Sequence, residues 1–388
     1  MMRVTLVTGK YPPEPCGIGD HVHRLAAELA RHKHDLSVLT SSGQPEESNF
    51  GRQEGIEIIR AIGRWDFGGY QIVLRHLKRH KTEVLHIHYQ PDLYERHPMI
   101  TLLPILLKRG PSACQAKTVV TLHELAGPRT PFFANPLPRA WVLLLAGSAD
   151  ASIVTNERDL ALLRIFPWLR GRLHHIPFGS NIDPNVLQAF DRQTIRSRVG
   201  VAEEEILVAR FGFVHDIQAN LFPELIQAVG QLSRKGFRLK LLLVGREDKL
   251  DREKIMSLAN SIGIGNLILF TGFCSSEDVS RYLASSDIGV QMYPEGACEK
   301  RTGLLTALSH GLPVVGLGSR HTASMFVHRD NIMLASSASP GHVAEAIEEL
   351  IIDSELRRKL SVGASQLAGR FNWGQIGKAV SELYENVA

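Results

Sequence analysis

Short, continuously apolar runs alternate with amphipathic stretches through the first half of the chain, stop at a segment rich in turn formers, and then begin again. A run that is apolar on both faces belongs in a parallel sheet covered by helices on either side. VTLVT (Val4–Thr8) is such a run, followed by the Pro- and Gly-rich PPEPCGIGD. The helix-spaced HVHRLAAELARH comes next, with Asp20 as its expected N-cap, and then the strand DLSVLTS (Asp35–Ser41). Further strands are expected at Glu83–Tyr89, Lys117–Glu124 and Ala151–Asn156, with a helix bent at Pro104 between the first two. HHIPFGSNID (His174–Asp183) reads as a strand running into a linker. The pattern resumes with strands at Glu205–Val214, Leu239–Glu247, Asn266–Phe273 and Asp287–Tyr293. A helix over Arg301–Gly311 is ended by Gly311, LPVVGL is the next strand, and helices follow over His342–Ile352, Glu355–Arg370 and GQIGKAVSELYENV. The expected fold is α/β: two Rossmann-like domains with parallel sheets facing across a cleft, residues 1–180 and 181–371, with the helix 372–388 crossing back onto the first. In such sheets ligands sit outside the carboxyl ends of the strands.

Composition narrows the function. The 388 residues suit two domains, and 44% hydrophobic with 22% charged residues is ordinary for a globular protein. A net charge of +4 is too mild to argue for nucleic acid, though it suits an anionic small ligand or an anionic membrane surface. Four scattered cysteines form no CxxC pair, so neither a disulfide framework nor a zinc site is expected. His86 and His88 have the i, i+2 spacing that two ligands on a strand use, but nothing near them in sequence completes a ligand set. No metal is therefore expected. The N-terminus lacks a long apolar region, and Trp141–Gly147, the strongest apolar run, is too short to span a bilayer. The expected compartment is the cytoplasm.

Two glycine loops follow strands: Gly17-Ile18-Gly19, and Gly212 between Phe211 and Phe213. Each could bring backbone amides close to an anion, and each is equally read as a tight strand-to-helix turn. Neither is a dinucleotide fingerprint, and no GxxxxGK[ST] phosphate loop occurs. YPEGACEKRTGLLTALSHGLPVV (Tyr293–Val315) says more. Its loop carries Glu295, Glu299, Lys300 and Arg301, and a helix starts near Thr302-Gly303-Leu304. A helix N-terminus beside two cations is a good place for a diphosphate, because dipole and fixed charge act together.

At these residues the chain resembles the bacterial-type family 4 glycosyltransferases, retaining enzymes of the GT-B fold. VTGKYPPEPCGIGDHVHRLAAELARHKHDLSVLT is similar to the family's opening. IHYQPDLYERHP, TVVTLHE, ADASIVTNERDLALL and HHIPFGSNID are similar to its first domain. FTGFCSSEDVSRYLASSDIGVQMYPEG and ALSHGLPVV resemble its donor-binding half. The order and spacing of these pieces carry the resemblance across nearly the whole chain.

The resemblance implies a nucleotide diphosphate sugar bound by the second domain and an acceptor bound by the first. It implies His123 as the cleft histidine near the reacting sugar, where an imidazole could hydrogen-bond a hydroxyl or shuttle a proton. Gly17, Ile18 and Gly19 would approach the donor phosphates or the acceptor. Glu295, Lys300, Arg301, Thr302, Gly303, Leu304, Thr306, Arg246, Gly212 and Phe273 would line the donor site. No cofactor beyond the donor is implied, and no DxD triplet occurs to hold a divalent ion against a diphosphate.

The chain departs from the family pattern in two places. Counting back from Gly311, the family's two glutamates fall on Cys298 and Thr306, so the sugar contact passes to Glu299 or Glu295. The family's Arg and Lys after the second domain's first strand fall on Phe213 and Gln218, or on His215 and Asn220. Lys300 and Arg301 are the expected replacements, with Arg210 or Arg246 in reserve.

The reading that follows is a metal-independent transferase of hexosyl type that moves a sugar to an acceptor hydroxyl with retention, in polysaccharide or glycoconjugate assembly. The alternative is a non-catalytic relative acting as a binding or scaffold subunit. A third reading is a sugar-nucleotide epimerase on the same fold. Acceptor specificity is expected from Trp65–Tyr70 and Gly127–Asn135. Peripheral contact with the inner face of a membrane is expected, if it occurs, through Arg129, Arg139, Phe132, Phe133, Trp141 and Val142, although Trp141–Ala146 reads more simply as a buried helix. The base, the sugar, the acceptor and the oligomeric state stay open.

Overall fold

The computed structural model describes residues 1–14, 16–42, 50–53, 55–109, 114–123, 125, 136–180, 182, 184, 190–214 and 216–388, except the side chains of 50, 52, 53 and 136–138. Glu124, the Gly127–Asn135 segment with Arg129, Phe132 and Phe133, and His215 lie outside the described residues. The chain separates into two compact units, Met1–Gly179 with Trp373–Ala388, and Ser180–Asn372.

In the first unit the described strands are β1 (Arg3–Val7), β2 (Asp35–Ser41), β3 (Phe50–Gln53), β4 (Ile56–Ile62), β5 (Val84–Tyr89), β6 (Lys117–Leu122), β7 (Ala151–Val154) and β8 (Leu173–His175). They form one sheet in the order β3-β4-β2-β1-β5-β6-β7-β8, parallel throughout except where β3 pairs with β4. Its helices are α1 (Gly17–Arg31), α2 (Phe67–His80), α3 (Met99–Arg109), α4 (Pro136–Ser148) and α5 (Glu157–Arg164). The second unit holds β9 (Ile206–Phe211), β10 (Leu239–Val244), β11 (Ile268–Phe270), β12 (Ile288–Gln291), β13 (Val314–Leu317) and β14 (Met333–Ala335), all parallel, in the order β11-β10-β9-β12-β13-β14. Its helices are α6 (Arg192–Arg198), α7 (Phe222–Arg234), α8 (Lys249–Ser261), α9 (Ser276–Ser285), α10 (Thr302–Ser309), α11 (Pro340–Ile352) and α12 (Ser354–Ala368). The final helix, α13 (Trp373–Val387), belongs to the first unit. Both units are doubly wound Rossmann-like sheets. Among the described residues, no helix is long and apolar enough to cross a membrane.

The burial pattern explains the sheets. All six residues of β5 are buried, so this strand has protein on both faces. α1 places Val22, Leu25, Ala26 and Leu29 at spacings of three and four, and they pack with Leu6, Ile376, Val380 and Tyr384. Each of the valine, leucine and isoleucine side chains contributes roughly 1.5–3 kcal/mol on burial. Many helix starts are fixed by side-chain oxygens. Asp66 accepts from the amides of Gly68 and Gly69, Asn156 from Asp159, Ser275 from Asp278 and Ser339 from His342.

Two expectations are corrected here. Asp20 is not an N-cap: α1 starts three residues earlier, and the Asp20 amide bonds the carbonyl of Cys16 inside the first turn. Trp65–Tyr70 is not an open loop. Trp65 is buried, its Nε1 donates to Ser41 Oγ at 2.8 Å, and Asp66 begins α2.

α13 is held by polar contacts as well as packing. Tyr384 OH lies 2.6 Å from Nδ1 of His86, whose Nε2 lies 2.7 Å from Thr121 Oγ1. His34 Nε2 lies 2.7 Å from Ser381 Oγ. At the other end of the helix, Trp373 packs against Gly179 so closely that a Cβ there would sit 2.5 Å from the indole ring.

These contacts have measurable consequences. Gly179→Ala should destabilise the protein by about 1–3 kcal/mol by overpacking. Trp373→Ala in the same chain should recover part of that loss, because the clash is between these two residues. Additive losses in urea melts would rule the clash out.

Burial holds His86 and His21 down to about 3, and His88 well below its ordinary value. Unfolded, the same imidazoles take a proton near pH 6.5. Stability should therefore be fully present above about pH 6.5 and fall as pH drops toward 3, by up to about 1.4 kcal/mol per pH unit per histidine. Urea midpoints that do not move between pH 7.5 and 5 would contradict this. His86→Asn should flatten the slope.

Candidate functional site

A doubly wound sheet leaves a crevice where its strand order reverses, because neighbouring crossovers depart to opposite faces. In the second unit that point lies between β9 and β12. The carboxyl end of β9 brings Arg210, Phe211 and Gly212, and β12 brings Gln291 with Tyr293 just beyond it. The first turn of α10 packs directly on these ends. A Cβ on Gly303 would meet the Phe211 carbonyl at 2.8 Å and the Tyr293 hydroxyl at 3.0 Å, so only glycine allows the approach. Gln291 Nε2 donates to the Phe211 carbonyl at 3.0 Å, and its Oε1 accepts from Tyr293 OH at 3.0 Å.

The cations at this point are already engaged. The Arg301 guanidinium lies 4.6 Å from the Tyr293 ring centroid and forks onto Glu295, with Nε 2.5 Å from the carboxylate. Burial pulls Arg301 down, but the charge and hydrogen bond of Glu295 outweigh it and hold the guanidinium above its ordinary value. Arg210 is the innermost of these cations. Its Nη2 donates to the Asn220 carbonyl at 2.7 Å, and its guanidinium lies 4.1 Å from the Phe222 ring centroid. Among the described residues its buried Nη1 has no hydrogen-bond partner. Burial draws it down to about 10, which leaves it charged at neutral pH.

The other second-unit candidates divide. Lys300 and Thr302 are half-buried at the start of α10, whereas Leu304 is fully buried and can offer only its backbone. Glu299 is 1% exposed, so its carboxylate is enclosed by the fold and not displayed. Thr306 is also buried, its Oγ1 3.1 Å from Ser180 Oγ, which Ser309 Oγ also approaches at 3.3 Å. Gly212 adopts a positive φ of 140° as the chain leaves β9. Phe213 beyond it is exposed, with the exposed Arg246 guanidinium 5.9 Å from its ring centroid. Phe273 stands 85% exposed after β11.

In the first unit the order reverses between β1 and β5. Gly17, Ile18 and Gly19 are the first turn of α1 here, not a loop before it. A Cβ on Gly19 would lie 2.9 Å from the Lys10 carbonyl, so this glycine serves close packing, while Gly17 faces open space. The Cys16 side chain makes no capping hydrogen bond at this helix start.

Beside it the structure brings together His21 on α1, His88 on β5 and His123 just after β6. All three are buried, and His88 Nδ1 lies 3.1 Å from His123 Nε2. His123 Nδ1 is buried as well. The backbone is pinned too: Tyr94 OH donates to the carbonyls of His88 and Val7 at 2.8 and 3.1 Å. The i, i+2 spacing of His86 and His88, which gave no expectation of a site, contributes one of its two residues here. His86 bonds Tyr384 and Thr121, and His88 turns to His123 and His21. No local signal links these three residues, because they meet only through the parallel order of the sheet. The interfacial patch is corrected in part: Arg139 and Val142 are buried.

Comparison with known proteins agrees with this architecture. Residues 16–179 match the family described as glycosyl transferase 4-like domain, and residues 209–353 match glycosyl transferases group 1. A D-inositol 3-phosphate glycosyltransferase from Corynebacterium jeikeium is 25% identical over 255 residues, which span 63% of this chain and 59% of that protein. A GDP-mannose-dependent alpha-(1-6)-phosphatidylinositol monomannoside mannosyltransferase from Mycobacterium tuberculosis is 22% identical over 409 aligned positions, 99% of this chain and 98% of that one. Among solved structures, Anabaena HepE in complex with UDP-glucose superposes with a TM-score of 0.76 at 17% identity, covering 100% of both chains. With two Rossmann-like units, each matched over most of its residues to a glycosyltransferase domain, the chain belongs to the family 4 glycosyltransferases of the GT-B fold.

Proposed function

We propose that this glycosyltransferase takes a nucleoside diphosphate sugar as donor and passes the sugar to an acceptor hydroxyl with retention of configuration, without a divalent ion on the leaving diphosphate. The observation that carries the proposal is the start of α10. Its first-turn amides and Arg301, with Lys300 next in the chain, lie by the buried Arg210 where the second sheet reverses order. The bond from the anomeric carbon to the β-phosphate oxygen breaks, and a bond to the acceptor oxygen forms on the same face. The acceptor proton leaves with the diphosphate. Positive charge and oriented amides stabilise the charge that develops on the departing oxygens. His123 would orient the sugar, and Glu295 becomes a better carboxylate candidate than the enclosed Glu299. Relatives and structural neighbours name different donors, GDP-mannose and UDP-glucose, so the base is a matter for assay. An acceptor in polysaccharide or glycoconjugate assembly, and work at the cytoplasmic face of a membrane, complete the reading.

One observation favours the second reading, a non-catalytic binding subunit. Cys298 and Thr306 stand where the family carries glutamates, and Arg301 is occupied by Glu295. Nucleotide binding separates the two.

A thermal-shift panel of UDP, GDP and ADP should single out one nucleotide. That shift should vanish in Lys300→Ala/Arg301→Ala, since saturating ligand stabilises only the state that binds it. No shift with any of the three would defeat the donor site. Glu295→Gln frees the Arg301 guanidinium and removes a like charge, so it should tighten the diphosphate about tenfold. Weaker nucleotide binding in that variant would mean the ion pair itself builds the site. With the nucleotide known, the anomeric configuration of the product by NMR should equal that of the donor.

A further inference from the structure

We propose that His21, His88 and His123 form a binding site for a divalent transition-metal ion of the zinc class. Each ring offers one nitrogen, and the three nitrogens lie within 4.8 Å of one another. Among the described residues no second group of three His, Cys, Asp or Glu meets that condition. The ring centroids form a nearly regular triangle with sides of 5.2, 5.4 and 5.6 Å. A tetrahedral ion with metal–nitrogen bonds of about 2.0–2.1 Å requires neighbouring ligand nitrogens about 3.3 Å apart and imidazole centroids about 5 Å apart. The His88–His123 nitrogens stand at 3.1 Å, so the rings are already spaced for an ion.

Two further observations point to a ligand. Among the described residues Nδ1 of His21 has no hydrogen-bond partner, although it is buried in a ring that is 5% exposed. A buried polar atom left in that state costs about 1–3 kcal/mol. The rings are also held rigidly. His88 lies 4.3 Å from the ring of His86, which Tyr384 and Thr121 fix, and Phe178 lies 5.0 Å from His21 and 5.2 Å from His123. Trp373 closes the side at 5.1 Å from His21. The ligands come from α1, the end of β5 and the turn after β6, so the ion would tie together the elements around the first unit's reversal point.

The donor set selects the metal. Three imidazoles with no carboxylate suit zinc, cobalt, nickel or copper and disfavour magnesium and calcium. A three-histidine set leaves a fourth position for water or a hydroxyl. An ion held there takes His123 away from the donor sugar, so occupancy would inhibit transfer. That last consequence rests on the function proposed above; the site itself does not.

The experiment uses the full chain freed of metal with a chelator. Cobalt(II) should bind at about one ion per chain and give the intense visible bands of a tetrahedral nitrogen site, and zinc should bleach them. Zinc should also raise the melting temperature of the wild type, a reading that needs no variant to fold. His88→Gln and His21→Asn should each weaken cobalt binding at least tenfold while circular dichroism reports a folded protein. Absence of saturable binding in the wild type overturns the site. Binding unchanged in both variants places the ion elsewhere and overturns it equally. If the ion binds at the triad and sugar transfer proceeds undiminished, the site stands, and the inhibition falls together with the role of His123.

Discussion

Parallel strand pairing is the constraint on which everything else in this chain depends. A parallel strand cannot follow its neighbour by a tight turn, so the chain must return over one face of the sheet before pairing again. Helices therefore cover both faces, and the strands between them have to be apolar on both sides. Where successive returns switch faces, two strand ends stand next to each other with no helix over the gap. The β9–β12 and β1–β5 boundaries are the two such places. Their contents are not accidents of loop sequence: the start of α10 at one, and the start of α1 with the histidines at the other, are delivered by the winding itself.

The two places differ in how they handle charge. At β9–β12 the chain keeps permanent cations and balances them locally. Arg301 rests on Glu295 and Tyr293, and Arg210 donates to a backbone carbonyl while its plane covers Phe222. Guanidinium groups tolerate this because they stay charged under burial that would neutralise an ammonium. At β1–β5 the buried polar side chains are imidazoles and hydroxyls, which can be buried without net charge. His86 meets its needs through Tyr384 and Thr121, and His88 Nδ1 through His123. One unit thus presents fixed positive potential, and the other neutral groups able to give or take a proton or a lone pair.

Most strands and several amphipathic helices were legible in the sequence because period and apolar continuity are local properties, although α2 and α9, both with a buried apolar face, were not. VTLVT overlaps β1 at Val4–Val7, DLSVLTS is β2, and HVHRLAAELARH lies in α1 up to its C-cap His32. Elements outside that signal escaped. β3 and β4 follow a polar stretch, and β4 alternates with only partial burial. α8, KLDREKIMSLANS, buries three of its residues, Asp251 among them, too narrow an apolar stripe to announce a helix. The candidate site was half legible. The cations before α10 could be read because a strand, a charged loop and a helix start are contiguous. The inward turn of Glu299 and the anchoring of Arg210 on Asn220 could not be, because both depend on packing between distant segments. His21, His88 and His123 share a location only once β1, β5 and β6 lie side by side.

The course of the chain through its two units sets an order of events at birth. Most of the first unit precedes the second in the chain, but α13 completes it, and Gly179 and Trp373, the last residue before the second unit and the first after it, touch. A ribosome working from the N-terminus therefore releases all of Ser180–Asn372 before the helix that carries Tyr384 and covers one side of α1 has been made. The second unit can reach its native state as a continuous stretch of chain. The first must wait with part of its apolar surface uncovered until α13 has been made, so a truncation within α13 would strike the unit that was translated first.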